Sequence, residues 1–379
     1  MSAQLLKGFE VEMYTGRADG TVVGCSSEAA AALPEVVTEP DCRNLEYITP
    51  PEADYSRQLQ HLLQPRQRLR HWLASRQLTL LPGSTLSLGN SQRFERSDPQ
   101  NPYHQFIEDA YGTRVVTASV HINLGLEDSA AIMAACRLLR CEASLLLALS
   151  ASSPFLDGRT CGAHSQRWRQ FPLTPATVPL FRDQGHYIAW MQEQLATGAM
   201  RNVRHFWGSV RPNGPERPHQ LNRVELRICD LVTDPLELLA ITAFCELRLL
   251  QLIEGHCGDP ASSSALNLKQ LAELADANDQ QAALQSLDAT LHHWQDGSPL
   301  VARQWIASQL QQLKDWGQGL EPCRWLEPIE ALLDRGNTAM RWLQQHAQGE
   351  SISSILSREA TLMQSQEQAL SSTAGADLG

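Results

Sequence analysis

Carboxylates alternate with apolar residues in segments that otherwise have the composition of β-strands. Glu10 and Glu12 lie two positions apart in the segment KGFEVEMY, and Glu225 and Arg227 lie two positions apart in VELRICD. Alternate residues of a strand share a face, so each pair projects from one side of its strand. Burying several unpaired carboxylates is very costly, so such a face must meet cations, metal or solvent. The pattern predicts the polar floor of a metal site.

Further polar residues in strand-like segments extend this pattern. Glu39 precedes and Glu46 lies within an apolar segment that ends at a diproline, and His121 and Asn123 share one side of the segment VHINL. Each has a plainer structural interpretation: a solvated strand edge, an ion pair with Arg43, or a core histidine. The functional interpretation gains weight because the pattern recurs, and a neutral imidazole can complete a metal shell that is otherwise oxygen.

Arginines could balance negative charge in such a site. Glu225 and Arg227 could neutralise neighbours across a sheet, or Glu225 could bind metal while Arg227 stabilises the charge of a transferred phosphoryl group. Other arginines are candidates for bidentate contacts with a carboxylate or a phosphate, although loop arginines are usually only solvated. These candidates are Arg114, Arg159, Arg167, Arg169 and Arg211.

The composition is that of a globular chain with an acidic balance. The chain has 379 residues, of which 42% are hydrophobic and 19% charged, and its formal net charge is −11. This charge disfavours nonspecific binding to nucleic acid or anionic membranes. The apolar segment 143–149 is too short to span a bilayer, which takes about 20 residues. The N-terminal residues have no apolar signal core. We therefore expect a soluble, cytoplasmic protein without nucleic-acid or membrane partners.

The cysteines indicate which kind of metal site to expect. Nine cysteines are scattered along the chain, and none forms a Cys-x-x-Cys pair. An odd, unpatterned set is typical of reduced thiols in a cytoplasm and disfavours structural zinc. A metal would then be held by oxygen ligands, which suits Mg²⁺, with Mn²⁺ as the alternative.

Hydrophobic periodicity predicts strands separated by a few long helices in the first part of the chain. The predicted strands are 5–14, 43–49, 78–82, 115–126, 204–210 and 222–231. The predicted helices are 53–76, 127–149, 182–197 and a helix that Asp234 caps, that begins at Pro235 and that ends near Ile253. Residues 84–104 and 154–175 are predicted to be loops.

These elements predict an α+β fold with a mainly antiparallel sheet and helices packed on one face, because neighbouring strands have few βαβ crossovers. Residues 1–255 are expected to form the catalytic region, and residues 256–370 a helical region packed on it. The helical region is predicted to hold three or four amphipathic helices between 264 and 365 and no strand. The segment 371–379 is expected to be a disordered tail.

Several nucleotide-binding and nucleophile motifs are absent from the sequence. It contains no Gly-x-x-x-x-Gly-Lys-Ser/Thr, no Gly-x-Gly-x-x-Gly and no Gly-x-Ser-x-Gly. A nucleotide would therefore not be held by a P-loop or a dinucleotide-binding turn, and acyl transfer by a serine elbow is disfavoured. An acidic metal floor without a P-loop suits the kinase-like activation of a carboxylate on an antiparallel sheet.

Six segments, in order over residues 8–245, resemble the glutamate–cysteine ligase (γ-glutamylcysteine synthetase) family of the bacterial and plant type, within the wider carboxylate–amine ligases. The resemblance is strongest to the cyanobacterial branch. The segments are GFEVE at 8–12, Glu39 with LEYITP at 45–50, YGTR at 111–114 with SVHIN at 119–123, ALSASSPF at 148–155 with GRT at 158–160, VRP at 210–212 and VELRICD at 224–230. The helical remainder matches no motif of the family.

The resemblance implies a curved, glutamine-synthetase-like catalytic sheet with ATP at one end and amino acids at the other. It implies magnesium ions that bridge nucleotide and glutamate, held by Glu10, Glu12, Glu39, Glu46, His121 and Glu225. Some relatives have Asp at the position of Glu39. The resemblance also implies Arg227 as the catalytic arginine and a substrate-binding set of Arg167 first, then Arg114, Arg159, Arg211 and Asn123. The implied reaction joins the γ-carboxylate of L-glutamate to the amine of L-cysteine through γ-glutamyl phosphate, with ATP as co-substrate. It is the first step of glutathione biosynthesis.

Other functions fit the same residues. A ligase of this chemistry could use a different amine acceptor, because the sequence does not show the shape of the pocket. A metal-dependent amidohydrolase could use the same acids to cleave γ-glutamyl amides without ATP, and a silent binding protein would bind magnesium-ATP without turnover. Release of ADP with glutamate, with and without cysteine, distinguishes these functions. The sequence does not predict the oligomeric state.

Overall fold

The computed structural model of the protein describes residues 4–376. Its strands are β1 (Lys7–Gly16), β2 (Val36–Thr38), β3 (Asn44–Ile48), β4 (Thr79–Leu81), β5 (Val120–Gly125), β6 (Phe155–Leu156), β7 (Arg159–Thr160), β8 (Val210–Asn213), β9 (Arg223–Leu226), β10 (Thr290–His292) and β11 (Pro299–Val301). Its helices are α1 (Ser26–Ala32), α2 (Tyr55–Ala74), α3 (Pro102–Tyr111), α4 (Ser129–Ser150), α5 (Gln166–Gln170), α6 (Gln184–Ala196), α7 (Pro235–Ile253), α8 (Pro260–Ser263), α9 (Leu268–Gln285), α10 (Ala302–Trp316), α11 (Glu327–Arg335), α12 (Thr338–Ala347) and α13 (Ile352–Ala376).

One antiparallel sheet dominates the first 230 residues. Its strand order is β2-β3-β1-β5-β9-β8, and β4 pairs with the distal part of β1, beyond the part that pairs with β5. Each strand pair of this sheet is antiparallel. Together with the helices, this arrangement confirms the predicted α+β fold with a mainly antiparallel sheet.

The two faces of the sheet differ in polarity, and the helices cover the apolar one. On β1, Phe9, Val11 and Met13 are at most 1% exposed, whereas the residues between them are polar. The long helix α4 packs against β8, β9 and α7, and α2 also packs against α7. Asp234 caps α7 by accepting a hydrogen bond from the backbone of Leu236 at 2.8 Å, as the sequence predicts. The polar face is therefore left for chemistry.

Buried ion pairs fix the helices to the sheet. Lys7 Nζ lies 3.0 Å from Glu246 Oε2, and the Tyr55 hydroxyl donates to the same oxygen at 2.7 Å, which joins β1, α2 and α7. On α4, Glu142 accepts from Arg248 of α7 at 2.6 Å and from the indole of Trp294 at 3.0 Å. Trp294, in the last third of the chain, is thus attached to α4 through a buried, hydrogen-bonded carboxylate.

The structure corrects several predictions about local elements. The predicted strand 204–210 is observed later, as β8, and the predicted loop 154–175 contains β6, β7 and α5. Helix α3 begins inside the predicted loop 84–104, where Asn101 caps it and Pro102 occupies its first turn. The last third contains the hairpin β10–β11, in which three residue pairs align, although no strand was expected there. In the described residues from 264 onwards there are five α-helices, α9 to α13, rather than three or four. Helix α13 continues to Ala376 and so enters the expected disordered tail, whose residues 377–379 lie outside the described part.

Among the helices of residues 4–376, not one combines the length and the apolar character that a bilayer crossing requires.

Candidate active site

Strand register brings four of the predicted metal ligands onto one face of the sheet. Glu10 of β1 lies opposite His121 of β5, and Glu12 of β1 lies opposite Glu46 of β3. Residues two apart on a strand share a face. These side chains therefore form adjacent rows, as the alternation in the sequence predicts.

The polar face continues across β9 and β8. Asn123 of β5 lies opposite Glu225 of β9, and Glu225 lies opposite Arg211 of β8. The backbone N–H of Arg227 donates to the carbonyl of Ser209 at 2.8 Å, so the same alternation continues just past β9. Predicted site residues from five strands, β1, β3, β5, β8 and β9, thus share the face opposite the helices.

Glu12, Glu39 and Glu46 form a group that we call the three-glutamate cluster. One carboxylate oxygen from each lies within 4.8 Å of the others, and all three residues are half-buried. Burial and the charge of Glu12 raise the pKa of Glu39 to about 8. Burial and the charges of Glu39 and Glu12 raise the pKa of Glu46 to about 10. Such crowded carboxylates are ionised together only when a cation is bound, which is the behaviour of a divalent-metal site.

Glu10, His121 and Glu225 form a second group, the histidine cluster, whose ligand atoms also lie within 4.8 Å of one another. His121 Nδ1 lies 2.8 Å from Glu10 Oε2, and His121 Nε2 lies 3.2 Å from the Ser119 hydroxyl. That hydroxyl donates to Glu12 at 2.7 Å. Its single hydrogen is therefore used, so Nε2 is the donor in its contact with Ser119. The contacts of its two ring nitrogens thus hold the His121 ring between Glu10 and the Ser119 hydroxyl.

Glu225 is surrounded by arginines. Arg211 donates to its two oxygens at 2.7 and 3.0 Å, Arg227 donates to Oε1 at 2.7 Å, and Asn213 also donates to Oε2. Burial alone raises the pKa of Glu225, but Arg211 and Arg227 hold it well below its ordinary value. Glu225 is fully buried and ionised, and a metal ion would share its oxygens with these donors.

Arg227 contacts the histidine cluster directly, and its charge also acts to lower the pKa of Glu39 in the three-glutamate cluster. Its Nη1 is 2.7 Å from Glu225 and 3.3 Å from His121 Nδ1, and the side chain is 13% exposed. Burial alone lowers the pKa of Arg227, but Glu225 and then Glu10 raise it above its usual value. The guanidinium is thus a permanent, oriented cation on the polar face.

The structure does not bring together the whole predicted substrate-binding set. Asn123 contacts Glu10 at 3.4 Å and belongs to the polar face, whereas Arg211 is committed to Glu225. Arg159, in the hairpin β6–β7, is exposed and lines a separate open cavity of about 510 Å³. Arg114 is exposed in the turn after α3, where it donates to the carbonyl of Tyr111 at 3.2 Å.

The placement of Arg167 contradicts its expected contact with a substrate carboxylate. The side chain is 3% exposed, and its Nη2 and Nη1 donate to the backbone carbonyls of Arg227 at 2.8 Å and Ile228 at 3.0 Å. The guanidinium therefore binds the protein's own backbone behind the face that carries Arg227.

A largely apolar cavity of about 320 Å³ opens at the β1 start of the polar face, beside Glu10. Its lining includes Gly8, Ile48, Asn123 and Arg223. Arg223 Nε donates to the side-chain Oδ1 of Asn123 at 2.9 Å, which places a further arginine at this end. Sequence reasoning missed Arg223, although it is two residues before Glu225 and shares its face.

An aromatic wall stands at the other end of the face, and the sequence did not reveal it. The Tyr103 hydroxyl lies 3.3 Å from His205 Nε2, and the Trp207 ring lies 5.4 Å from the His205 ring and 4.9 Å from that of Tyr111. Alternation along the strand puts Trp207 on the same face as Ser209. The wall went unnoticed because no helix was predicted over residues 102–111, where α3 carries the two tyrosines.

Solved structures share this fold over nearly the whole chain. Glutamate–cysteine ligase from Francisella tularensis, in complex with AMP, superposes with a TM-score of 0.75 at 13% identity and covers 98% of this chain and 93% of that chain. A bifunctional glutathione synthetase from Pasteurella multocida superposes with a TM-score of 0.68 at 17% identity, covering 96% of this chain and 53% of that one. At these identities the likeness establishes the fold.

Curated relatives are similar in sequence over about three fifths of this chain. Proteins of Sorangium cellulosum and Solibacter usitatus, both provisionally named glutamate–cysteine ligase 2, are 28% identical over 239 residues and 26% identical over 250 residues. The matches cover 62% and 65% of this chain and 61% and 62% of the relatives, so they span about three fifths of the relatives' length. Residues 6–358 match the profile of glutamate–cysteine ligase family 2 (GCS2), and the chain belongs to this family.

Proposed function

We propose that this protein is an ATP-dependent carboxylate–amine ligase that joins the γ-carboxylate of L-glutamate to the amine of L-cysteine through γ-glutamyl phosphate. The observation that carries the proposal is the presence of two ligand clusters and Arg227 on one face. Family membership supports the reaction class, and the geometry supports its phosphoryl-transfer step.

The three-glutamate cluster fits a magnesium ion. It offers three carboxylates whose oxygens converge within 4.8 Å, and two of them have a pKa raised by burial and mutual repulsion, as expected of ligands that await a cation. The histidine cluster offers two more carboxylates and an imidazole. When bound, Mg²⁺ would neutralise the phosphate oxygens and the charge that develops during transfer.

The largely apolar cavity beside Glu10 supports a direction for the nucleotide. Ile48 offers apolar surface to a purine, and Arg223 and Asn123 offer polar groups to its ribose or phosphates. The triphosphate would then run along β1 from Gly8 towards Glu12. The terminal phosphate would lie near Arg227, and the amino acids would enter from the end that the aromatic wall borders.

In this arrangement the residues act mainly by position and charge. A γ-carboxylate oxygen of glutamate attacks the terminal phosphorus, the bond to the bridging oxygen breaks, and ADP leaves. Arg227 stabilises the charge on the transferred group, and its contact with Glu225 keeps it oriented. The cysteine amine then attacks the acyl carbon, and phosphate leaves with the proton of the amine.

The direct test is ADP release with glutamate and magnesium, with and without cysteine. We expect cysteine-dependent ADP release with formation of a γ-glutamyl amide, and hydroxylamine should trap the acyl phosphate as a hydroxamate. Release with another amine instead of cysteine would identify a different acceptor. Cleavage of γ-glutamyl amides without ATP would replace the proposal with the hydrolase, and no turnover with any amine would refute it.

Substituting Arg227 tests the role assigned to it. Arg227→Ala removes the fixed cation from the site of phosphoryl transfer, and we expect kcat to fall roughly 10³-fold, as with other transition-state arginines and oxyanion-hole donors. Arg57→Ala is the matched control, because Arg57 is 72% exposed and pairs only with Glu52 at 3.7 Å. Near-normal ADP release from Arg227→Ala would show that the role is misassigned.

A further inference from the structure

On the side of β5, the strand segment that carries Arg227 leaves regular pairing after Leu226. Ile122 of β5 lies opposite Leu226, and Ser119 lies opposite Asp230. Between these two points β5 advances three residues while the other chain advances four. This extra residue is a β-bulge, a feature that re-aims side chains next to active sites.

Arg167 binds the backbone of this bulge. Its Nη2 donates to the carbonyl of Arg227 at 2.8 Å and its Nη1 to the carbonyl of Ile228 at 3.0 Å. A bulge takes carbonyls out of the regular ladder, and buried carbonyls need another donor. The fork of the guanidinium supplies two donors at a fixed spacing, which a lysine cannot do.

Asp230 holds Arg167 in place. Its Oδ1 lies 3.8 Å from Arg167 Nη1 and accepts from the Ser165 hydroxyl at 2.8 Å, and its Oδ2 accepts from the Ser153 hydroxyl at 2.6 Å. The Ser152 backbone also donates to Oδ2, at 2.9 Å. Asp230 is fully buried, so the assembly is a preorganised, hydrogen-bonded support rather than a surface ion pair.

We propose that Arg167 is a positioning residue that fixes the bulged backbone and so directs the Arg227 side chain onto Glu225 and the transferred phosphoryl group. The inference rests on the proposed function. This positioning role replaces the expected contact of Arg167 with a substrate carboxylate. Both terminal nitrogens of Arg167 already donate to backbone carbonyls, and the side chain is nearly inaccessible.

Steady-state kinetics of Arg167→Met and Arg167→Lys test the assignment. Misplacement of a catalytic group by about 1 Å costs on the order of 100-fold, so we expect kcat of the Met variant to fall between tenfold and 100-fold. The KM values for glutamate and ATP should stay within about twofold of wild type, because Arg167 touches neither substrate. The Lys variant, which keeps the charge beside Asp230, should recover part of kcat and keeps the test valid if the Met variant does not fold.

Arg248→Met is the matched control for loss of a buried arginine. Arg248 is 7% exposed and binds Glu142 and Gln251 on the helical side of the sheet. Its substitution should lower Tm while leaving kcat of the folded protein unchanged. A comparable fall of kcat in this control would mean that general destabilisation explains the effect, and would overturn the inference.

A double-mutant cycle with Arg227→Lys isolates the coupling. If Arg167 acts through Arg227, adding Arg167→Met to Arg227→Lys should change kcat less than about threefold, since coupled residues are not additive. Persistence of the full Arg167 effect in that background, or a tenfold rise in the glutamate KM with kcat unchanged, would overturn the inference. Absence of ADP release from wild type would instead refute the proposed function itself.

Discussion

Magnesium binding to the three-glutamate cluster should displace protons, and its affinity should therefore rise with pH. Two ionised oxygens 4.8 Å apart repel each other by roughly 3 kcal/mol at an effective dielectric constant of 20. Repulsion from one such ionised neighbour raises the pKa of a carboxyl group by about 2. Burial and this repulsion together raise the pKa of Glu39 to about 8 and that of Glu46 to about 10. Without metal, both carboxyl groups carry protons at pH 7.

The size and sign of the effect follow from these protons. A metal ion binds the ionised carboxylates, so binding releases up to two protons below about pH 8, and the affinity rises up to about 100-fold per pH unit there. The metal-free protein shows the opposite trend. At Glu39 and Glu46 the folded state binds more protons than the unfolded chain above a pH of about 4.3. The contribution of these two groups to the free energy of unfolding therefore falls as pH rises towards 8, by up to roughly 1.4 kcal/mol per pH unit per group.

Two measurements check this prediction. Titration calorimetry of Mg²⁺ at pH 7, in buffers with different ionisation enthalpies, counts the released protons. Thermal unfolding at pH 6 and pH 8 should show a lower Tm at pH 8 without metal and a larger Mg²⁺-induced rise in Tm at pH 8 than at pH 6.

Glu46→Gln is the decisive variant because it removes one ionisable carboxyl group while the side chain keeps nearly the same shape. The variant should be more stable than wild type at pH 8 without metal, should bind Mg²⁺ more weakly and should release about one proton fewer. Glu273→Gln is the control, because Glu273 is 65% exposed on α9 and pairs only with Lys269 at 3.8 Å. A Mg²⁺ response that is constant between pH 6 and 8, or equal in Glu46→Gln and wild type, would refute the reasoning.

The remaining predictions concern the support of the sheet and the nucleotide end. Lys7→Met leaves Glu246 buried without its partner and should lower the free energy of unfolding by about 3–5 kcal/mol in denaturant titrations, and adding Glu246→Leu should recover part of it. If adding Glu246→Leu recovers none of the lost free energy of unfolding, this account is wrong. Ile48→Trp fills part of the cavity of about 320 Å³ beside Glu10 and should raise the KM for ATP at least tenfold without changing that for glutamate. An unchanged KM for ATP would place the nucleotide elsewhere.

Alternation in the sequence was enough to predict which residues share the polar face. Glu10, Glu12, Glu46 and His121 alternate with apolar residues within their strands, and the register confirms their common side. The antiparallel α+β fold was predictable for the same reason, because period-two segments and one-sided helices leave few other arrangements. Each of these inferences depends only on local periodicity.

Features that depend on pairing between distant segments could not be predicted. Glu225 was correctly placed on the polar face, but its enclosure by Arg211 depends on the register of β8 against β9. The carbonyls that Arg167 binds become available only because β9 ends in a bulge, and a bulge leaves no periodic signal. Tyr103 reaches His205 only because α3 folds over the sheet. Distances of this kind are properties of the tertiary fold.

The two clusters differ in how their negative charge is balanced. This difference explains how one face of the sheet could bind both a metal ion and a triphosphate. Protein cations hold the histidine cluster ionised: Arg211 and Arg227 lower the pKa of Glu225, and the contact with His121 lowers that of Glu10 against the effect of burial. In the three-glutamate cluster, burial and mutual repulsion outweigh the nearest arginine and raise the pKa of Glu39. The demand for an external cation is therefore concentrated at the three-glutamate cluster. At the histidine cluster a metal ion must compete with Arg227, and the negative charge of a triphosphate is what would make room for both cations on the same face.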